Sequence, residues 1–294
     1  MDIAQILVDT VVLGSVYVLV AVGLTMTYGL LKFANFAHAE FITFGAYVGL
    51  VAVTMLNLGL VGGGILAFIL TGLLGILGYL LVFKPLQKRG ANSVELMIAS
   101  IGVGLIIRHI LQQIFGAPMK TYGIVRHIYE IGSVRITNLE ILEIICAFAF
   151  IIIFHIILHK TKLGKAMRAV SNNPSLAMAS GINVDKIILW VWFIGAGAAG
   201  LGGMLFAANT RVIPTFGWEI LLPVFAVVVL GGIGSVYGTF LAAFIIALAE
   251  NIGVVLLSEL GLSTGYRPAV AFIILILVLL IRPQGLISLK TRVG

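Results

Sequence analysis

Long apolar runs dominate this sequence, and most of them reach the length of about 20 residues that a helix needs to cross a lipid bilayer. Backbone N–H and C=O groups inside a bilayer must be satisfied within the chain, so these runs predict membrane-spanning α-helices. We place the runs at about 6–31, 41–58, 62–83, 94–115, 139–159, 187–208, 218–230, 237–257 and 267–281. The seventh and ninth are short, so the pattern fits nine spans, or eight with one re-entrant or broken helix.

The composition agrees with an all-α polytopic membrane protein that forms a single transmembrane domain over residues 1–294. Charged residues make up 10% of the chain and hydrophobic residues 61%, whereas about a quarter of a soluble domain is charged. The net charge of +7 resides mainly in loops, which suits membrane topology better than nucleic acid binding. The lone Cys146 excludes a disulfide framework, and the acidic Asp2 and Asp9 argue against a cleavable signal.

Lysine and arginine predict the orientation of the chain. If the polar loop 160–186 lies in the cytoplasm, most of the 18 basic residues fall on the inner side, as the positive-inside rule requires. The C-terminus then lies inside, the loop 116–138 lies outside and, with nine spans, the N-terminus lies outside.

Many of the 35 glycines lie inside apolar runs. Small residues recur four apart, as at Ala196 and Gly200 or Ala198 and Gly202, and this spacing favours close packing of membrane helices. Some glycines could instead break helices along a transport path. The pattern therefore predicts a glycine-rich bundle and leaves open whether some of its helices are broken or re-entrant.

Polar side chains at membrane depth are costly and mark candidate functional positions. They are Asn35, His38 and Glu40 between the first two spans, Arg108 and His109 in the fourth, His155 in the fifth, and Glu250 and Asn251 in the eighth. The first group fits an interfacial turn as well as a functional site, and the last pair fits an interhelical hydrogen bond. A neighbouring carbonyl group could satisfy Arg108, His109 or His155, and we expect this for the two histidines. We expect no acid–base pair and no metal cluster among the eight.

The loop 160–186 is the longest polar insertion, and two short helices fit inside it. The first runs from about 161 to 171. The second has Asn173 as its N-cap, Pro174 at its first position and Gly181 just past its end. A basic, capped helical pair suits docking onto a soluble partner, and it also suits a solvated linker between spans.

Motifs for covalent chemistry are missing from the sequence. The chain has no G-x-x-x-x-G-K-[ST], no H-E-x-x-H and no G-x-S-x-G, and the glycine-rich segment 231–238 lacks a following lysine. We therefore expect neither an enzyme nor an ATPase in this chain.

Four stretches resemble a known family: 14–47, which contains YGLLKFANFAHAEF; 164–183, GKAMRAVSNNPSLAMASGIN; 231–251, GGIGSVYGTFLAAFIIALAEN; and 282–288, RPQGLIS. Together they resemble the LivH/LivM-type permeases, membrane subunits of ATP-binding-cassette importers for branched-chain amino acids, and the form Asn-Phe-Ala-His is closer to LivH. Ala39 departs from the glycine that the family usually has there, which affects only the local turn.

The resemblance implies a multi-pass protein of the cell membrane that works in a complex. Its partners would be a second related permease, two ATPase subunits that bind ATP and Mg²⁺, and an extracytoplasmic binding protein, with no cofactor or metal in this chain. The implied ATPase-coupling contacts are Gly164, Arg168, Asn173, Pro174, Ala177 and Gly181. The residues that we assign to the substrate path are Tyr28, Asn35, His38, Glu40, Glu250 and Asn251.

Three other functions remain open from the sequence. Relatives within the importer class carry urea, short amides or sugars. An ion-coupled secondary transporter would use intramembrane carboxylates, for which Glu40 and Glu250 are the candidates. A structural membrane scaffold is the third.

The orientation can be tested by cysteine accessibility. In a Cys146-free background, a cysteine at Asn173 should resist an impermeant thiol reagent added to intact cells and react once the membrane is opened. A cysteine in the loop 116–138 should react in intact cells. Labelling of the Asn173 position from outside would contradict the predicted topology.

Overall fold

The computed structural model describes residues 2–281 and 285–287 and shows a helical membrane bundle. Its helices are α1 (Ile3–Leu31), α2 (His38–Thr54), α3 (Gly59–Gly78), α4 (Lys84–Lys88), α5 (Ser93–Phe115), α6 (Asn138–Lys160), α7 (Lys162–Asn172), α8 (Pro174–Ala179), α9 (Val184–Asn209), α10 (Phe216–Gly231), α11 (Val236–Glu259) and α12 (Arg267–Ile281). A π-helical turn, Tyr79–Phe83, joins α3 to α4, and a 3₁₀ turn precedes α12. The predicted all-α polytopic class is confirmed.

Seven of the described helical segments are long and apolar enough to cross a membrane, whereas α2 and α10 are shorter. The last span reaches this length together with its 3₁₀ turn, as Thr264–Ile281. The sequence did not indicate the short second span, because apolar residues continue past the end of α2 as far as Leu58.

A small β-hairpin was not predicted, since we took 116–138 for a loop. Strand β1 (Ile128–Ile131) pairs antiparallel with β2 (Val134–Thr137), and Gly132 turns the chain with a φ of 65°. Gly-Ser between two short runs rich in β-branched residues is a hairpin signal that the sequence carried.

The chain re-enters the bundle after α1. Lys32, in the left-handed conformation with a φ of 58°, ends α1 after Leu31. Residues 32–37 then have no regular structure, and three of them, Phe33, Asn35 and Ala37, are buried. His38, the first residue of α2, donates a 2.8 Å hydrogen bond from Nε2 to the carbonyl oxygen of Val20. Because Val20 lies well inside α1, α2 begins inside the bundle.

The segment α9–α10 repeats this arrangement. After α9, residues 210–215 turn back towards the interior with Val212 and Pro214 buried, and the shorter α10 follows. The two long helices α1 and α9 run antiparallel, because Gly23 packs on Gly195 while Gly202 packs on Val20. The bundle therefore contains two broken units that run in opposite directions.

The N-termini of α2 and α10 meet at what we call the junction, formed by residues 35–43 and 216–219. The backbone N–H of Gly217 donates a 2.9 Å hydrogen bond to Oγ1 of Thr43. A Cβ on Gly217 would overlap the carbonyl group of Ala39, so only glycine permits this approach. Discontinuous helices in units of opposite direction are typical of transporters, where they form sites within the membrane.

The loops divide between the two ends of the bundle as the basic residues predicted. The hairpin lies at the end that holds the N-terminus of α1, since the Arg135 N–H donates to Gln5 Oε1 at 2.8 Å. The other end holds the α7–α8 loop and residues 285–287, and there the Leu286 N–H donates to the Leu230 carbonyl oxygen at 2.7 Å. Residues 282–284 and 288–294 of the basic C-terminal tail lie outside the described residues.

Close glycine contacts should decide the stability of the bundle. A Cβ on Gly45 would overlap the backbone of Gly200 in α9, whereas a Cβ on Gly102 in α5 meets nothing within 4 Å. We expect Gly45→Ala to lower the unfolding temperature clearly, because backbone must move to admit the methyl group.

Gly102→Ala is the control and should be neutral or stabilising by about 1 kcal/mol, since alanine favours helix over glycine. A thiol-reactive dye that reports exposure of the single cysteine, Cys146, can follow unfolding. Equal unfolding temperatures for the two variants would contradict the close contact.

Candidate functional site

A buried carboxylate lies at the centre of the junction. Glu40, in the first turn of α2, has a fully buried side chain. Its Oε1 accepts hydrogen bonds from Arg108 at 2.9 Å (Nε) and 2.6 Å (Nη2), and from Trp218 Nε1 at 2.8 Å. The Arg108 guanidinium also lies over the Trp218 ring, 5.2 Å from its centroid. One carboxylate thus joins α2, α5 and α10.

The ion pair corrects the sequence analysis, which found no acid–base pair among these residues and named a neighbouring carbonyl group as one possible partner of Arg108. Charges at this depth persist when they are paired, and the only positive partner that reaches Glu40 in the described chain comes from α5. Gly104, one turn before Arg108, brings α5 close to Ala37 and Glu40. An acidic residue at a helix start and an arginine within an apolar run were the available signals, but sequence alone does not show which helices are neighbours.

The junction also holds polar atoms without partners. Asn35 is fully buried, and neither its Nδ2 nor its Oδ1 makes a hydrogen bond within the described residues. Glu40 Oε2 is likewise buried and unbonded there. The alternative of an interfacial turn wetted by headgroups is wrong for this structure, because Asn35, His38 and Glu40 are at most 1% exposed. Buried groups of this kind need an explanation, and a polar ligand or bound water supplies one.

The other polar pair of the predicted path forms a separate cluster. Glu250 Oε2 accepts hydrogen bonds from the Tyr17 hydroxyl at 2.8 Å and from Arg267 Nε at 2.9 Å. Asn251 donates from Nδ2 to Thr10 Oγ1 at 3.2 Å. This is the interhelical hydrogen bonding that the sequence left open, and it joins α1, α11 and α12.

The structure therefore divides the six predicted path residues into three places. Asn35, His38 and Glu40 lie together at the junction. Glu250 and Asn251 contact α1 at Tyr17 and Thr10, and Tyr28 lies half-buried near the C-terminal end of α1. The path role of all six stays a prediction.

The two intramembrane carboxylates that the sequence offered for ion coupling, Glu40 and Glu250, are both paired with arginine. Arg108 lies against Glu40, and Arg267 lies against Glu250. A carboxylate that binds and releases a proton or sodium ion must separate from its arginine during the transport cycle. In this structure Glu40 and Glu250 are both held in ion pairs. The pairs weaken the case for ion-coupled transport.

The caps predicted for the 160–186 loop are present. Asn173 Oδ1 accepts a 3.0 Å hydrogen bond from the Leu176 N–H, and Pro174 begins α8. Gly181 has a φ of 81°, in the left-handed region, and its N–H donates to the Met178 carbonyl oxygen at 3.0 Å. The Ile182 N–H donates to the Ala177 carbonyl oxygen. Together the two hydrogen bonds close the C-terminal end of α8 in a Schellman motif.

The α7–α8 loop is fastened to the end of α6. Arg168 Nη1 donates a 2.6 Å hydrogen bond to the carbonyl oxygen of Leu158. Gly164 packs directly on Ile157 and Leu158, where a Cβ would overlap the backbone. Of the six predicted coupling residues, Gly164 and Ala177 are buried within the chain. The other four, Arg168, Asn173, Pro174 and Gly181, are exposed, and so are Lys162, Lys165, Leu176 and Met178.

Comparisons with known proteins agree with this architecture. A family described as "Branched-chain amino acid transport system / permease component" matches residues 6–279. The high-affinity branched-chain amino acid transport system permease protein LivH of Escherichia coli K12 is 30% identical over 97% of this chain and 95% of its own. A probable LivH permease of Methanocaldococcus jannaschii is 29% identical over 96% and 91%. The ribose import permease RbsC of Escherichia coli K12 is 34% identical over 42% of this chain and 40% of its own.

The buried pair at the junction should be strongly coupled to folding. Arg108→Ala leaves Glu40 buried without its positive partner, so we expect it to lower the free energy of unfolding by about 3–5 kcal/mol. Arg211→Ala is the control: it removes a pair with Glu219 in which both side chains are 48% exposed, and we expect a loss of about 1 kcal/mol or less.

Unfolding in mixed detergent micelles would measure both variants. Arg108→Met combined with Glu40→Gln should recover most of the loss, because no unpaired charge remains. An Arg108→Ala protein as stable as Arg211→Ala would contradict the buried ion pair.

Proposed function

This chain belongs to the permease components of branched-chain amino acid transport systems, and we propose that it carries leucine, isoleucine or valine through the junction. It is a multi-pass protein of the cell membrane and a transport subunit of an importer, not an enzyme. The observation that carries the path proposal is the meeting of the α2 and α10 N-termini inside the bundle, beside Asn35, whose amide has no hydrogen-bond partner among the described residues.

The chemistry of the junction suits a small zwitterion with an apolar side chain. Helix N-termini favour a carboxylate, and the Asn35 amide offers both a donor and an acceptor. Aromatic rings supply apolar surface nearby, since Phe36 lies 5.3 Å from Phe225 and 6.4 Å from Trp218 between ring centroids. An aliphatic amino acid matches these groups better than urea, which has neither a charge nor an apolar part.

Importers of this kind work with separate ATPases and binding proteins. We propose that this chain pairs with a second, related permease, that two ATPase subunits bind ATP and Mg²⁺, and that an extracytoplasmic binding protein supplies the amino acid. The chain has no phosphate-binding loop of its own, which supports an ATPase on other subunits.

The α7–α8 loop is our candidate for the ATPase contact. Its exposed face combines the positive Lys162 and Lys165 with Leu176 and Met178, which are 63% and 61% exposed. A short helix with both ends capped moves as a unit when a partner displaces it. The hydrogen bond from Arg168 to Leu158 joins the loop to α6, so displacement of the loop would reach the bundle.

Reconstitution tests the proposed function. Leucine uptake into proteoliposomes should require ATP, both ATPases and the binding protein, and excess isoleucine or valine should compete. Competition by urea or short amides, with none by isoleucine, would favour the alternative cargo. Uptake by this chain alone under an ion gradient would contradict the importer mechanism.

Coupling can be tested by variants of the loop. Arg168→Ala removes the link to α6, and Gly181→Val places a β-branched residue at a φ of 81°. We expect both to lower leucine uptake and permease-stimulated ATP hydrolysis while membrane expression stays near normal.

Lys162→Ala, on the exposed side of α7, is the control and should retain nearly full uptake. If Arg168→Ala and Gly181→Val also retained full uptake at equal expression, the loop would be a linker and not a coupling element.

A further inference from the structure

A polar cavity lies away from the junction, at the end of the bundle that holds the hairpin. It has a volume of about 340 Å³ and opens between α1, α6, α9 and α11. This is the lower end of the size range of small-molecule sites. In the predicted orientation it faces the outside of the cell.

Negative charge predominates in this outer cavity. Asp9, Glu140 and Glu143 line it, together with Arg126 and Arg267. Arg267 forms an ion pair with Glu250, which neutralises its charge. The other charged groups of the cavity are three carboxylates and one arginine. In the described part of the chain, no group of three or more acidic, histidine or cysteine side chains is arranged to hold a metal ion. The surplus of carboxylates therefore fits an organic cation better than a metal.

Among the three carboxylates of the cavity, Glu143 gives the clearest indication of a ligand. Its side chain is only 1% exposed, yet it lines the cavity. Oε1 accepts a 2.7 Å hydrogen bond from Asn209 Nδ2, and within residues 2–281 and 285–287 Oε2 accepts none. Asp9 and Glu140 also accept one hydrogen bond each, from Gln5 and from the Thr137 N–H at 2.7 Å, but these two residues are only partly buried. A buried carboxylate with one open oxygen is a site for a positively charged donor.

The remaining walls fit the rest of an amino acid. Val12, Leu13, Phe206 and Val254 present apolar surface in the cavity. Arg126, exposed at its edge, makes no side-chain ion pair within the described residues, so its guanidinium is available to a carboxylate.

We propose that the outer cavity binds a small aliphatic amino acid, with its ammonium group at Glu143 and its carboxylate at Arg126. In the predicted orientation, a ligand that enters from outside the cell meets the outer cavity before it reaches the junction. The proposal rests on the proposed function in one respect, namely that the ligand belongs to the class that the chain transports.

Binding of radiolabelled leucine to the full chain in nanodiscs, without the binding protein, tests the site. We expect Glu143→Gln and Arg126→Gln each to weaken binding about tenfold or more, as for the loss of a charge-assisted hydrogen bond. Glu143→Gln keeps an acceptor for Asn209, so the fold should survive. If that variant does not fold, Arg126→Gln carries the test, because the side chain of Arg126 is exposed and forms no ion pair in the described part of the chain.

Glu130→Gln is the matched control. Glu130 lies at the same end of the bundle, in the hairpin, and pairs with Arg135 outside the cavity, so leucine binding should be unchanged. Two partial ligands separate the subsites. Isoamylamine lacks the carboxylate, so it should compete with leucine equally well in the wild type and in Arg126→Gln. The second ligand, 4-methylpentanoate, lacks the ammonium group, so it should compete with leucine equally well in the wild type and in Glu143→Gln.

Saturable leucine binding that neither Glu143→Gln nor Arg126→Gln weakens would overturn the site, as would no binding by the wild-type chain. Uptake by the complete importer distinguishes this failure from failure of the proposed function. If the importer transports leucine while the outer cavity binds none, only the site is wrong. If the importer does not transport leucine, the proposed function is wrong as well.

Discussion

The start of α2 inside an apolar bundle is the constraint on which the rest of the structure depends. A helix N-terminus carries N–H groups without intrahelical partners, and the bilayer interior offers no water to satisfy them. The first N–H groups of α2 donate to carbonyl oxygens of the preceding residues 35–37. Side chains from other helices satisfy the backbone around them: Thr43 accepts from the first turn of α10, and Ser100 accepts from the Phe36 N–H at 2.9 Å. Glu40 then requires Arg108, which fixes α5 against α2. The Asn35 amide is buried beside them and has no partner within residues 2–281 and 285–287.

Small residues make this interior junction possible. Gly217 admits the carbonyl group of Ala39, and Gly23 and Gly195 let α1 and α9 touch along their backbones. Because α1–α2 and α9–α10 run in opposite directions, the two irregular segments approach the junction from opposite ends of the bundle. A displacement at either end can therefore reach the same place, as alternating access requires.

Sequence reasoning succeeded where a local pattern determines the structure. Apolar length located the spans, and Asn173, Pro174 and Gly181 marked the ends of α8 because caps depend on neighbouring residues alone. It failed where the partner is distant in the chain. The pairing of Glu40 with Arg108, 68 residues away, and the burial of Phe33, Asn35 and Ala37 depend on which helices pack together, which hydropathy does not encode. The hairpin was missed although its Gly-Ser turn was visible.

The central claim is that the junction lies on the transport path, and accessibility of residue 35 tests it most directly. In the complete importer with Cys146 replaced by serine, Asn35→Cys should react with a small impermeant thiol reagent from outside in one nucleotide state. It should react from the cytoplasmic side in another, with excess leucine slowing both reactions. A cysteine at this position that stays unreactive in every nucleotide state, while the importer still transports leucine, would contradict the account.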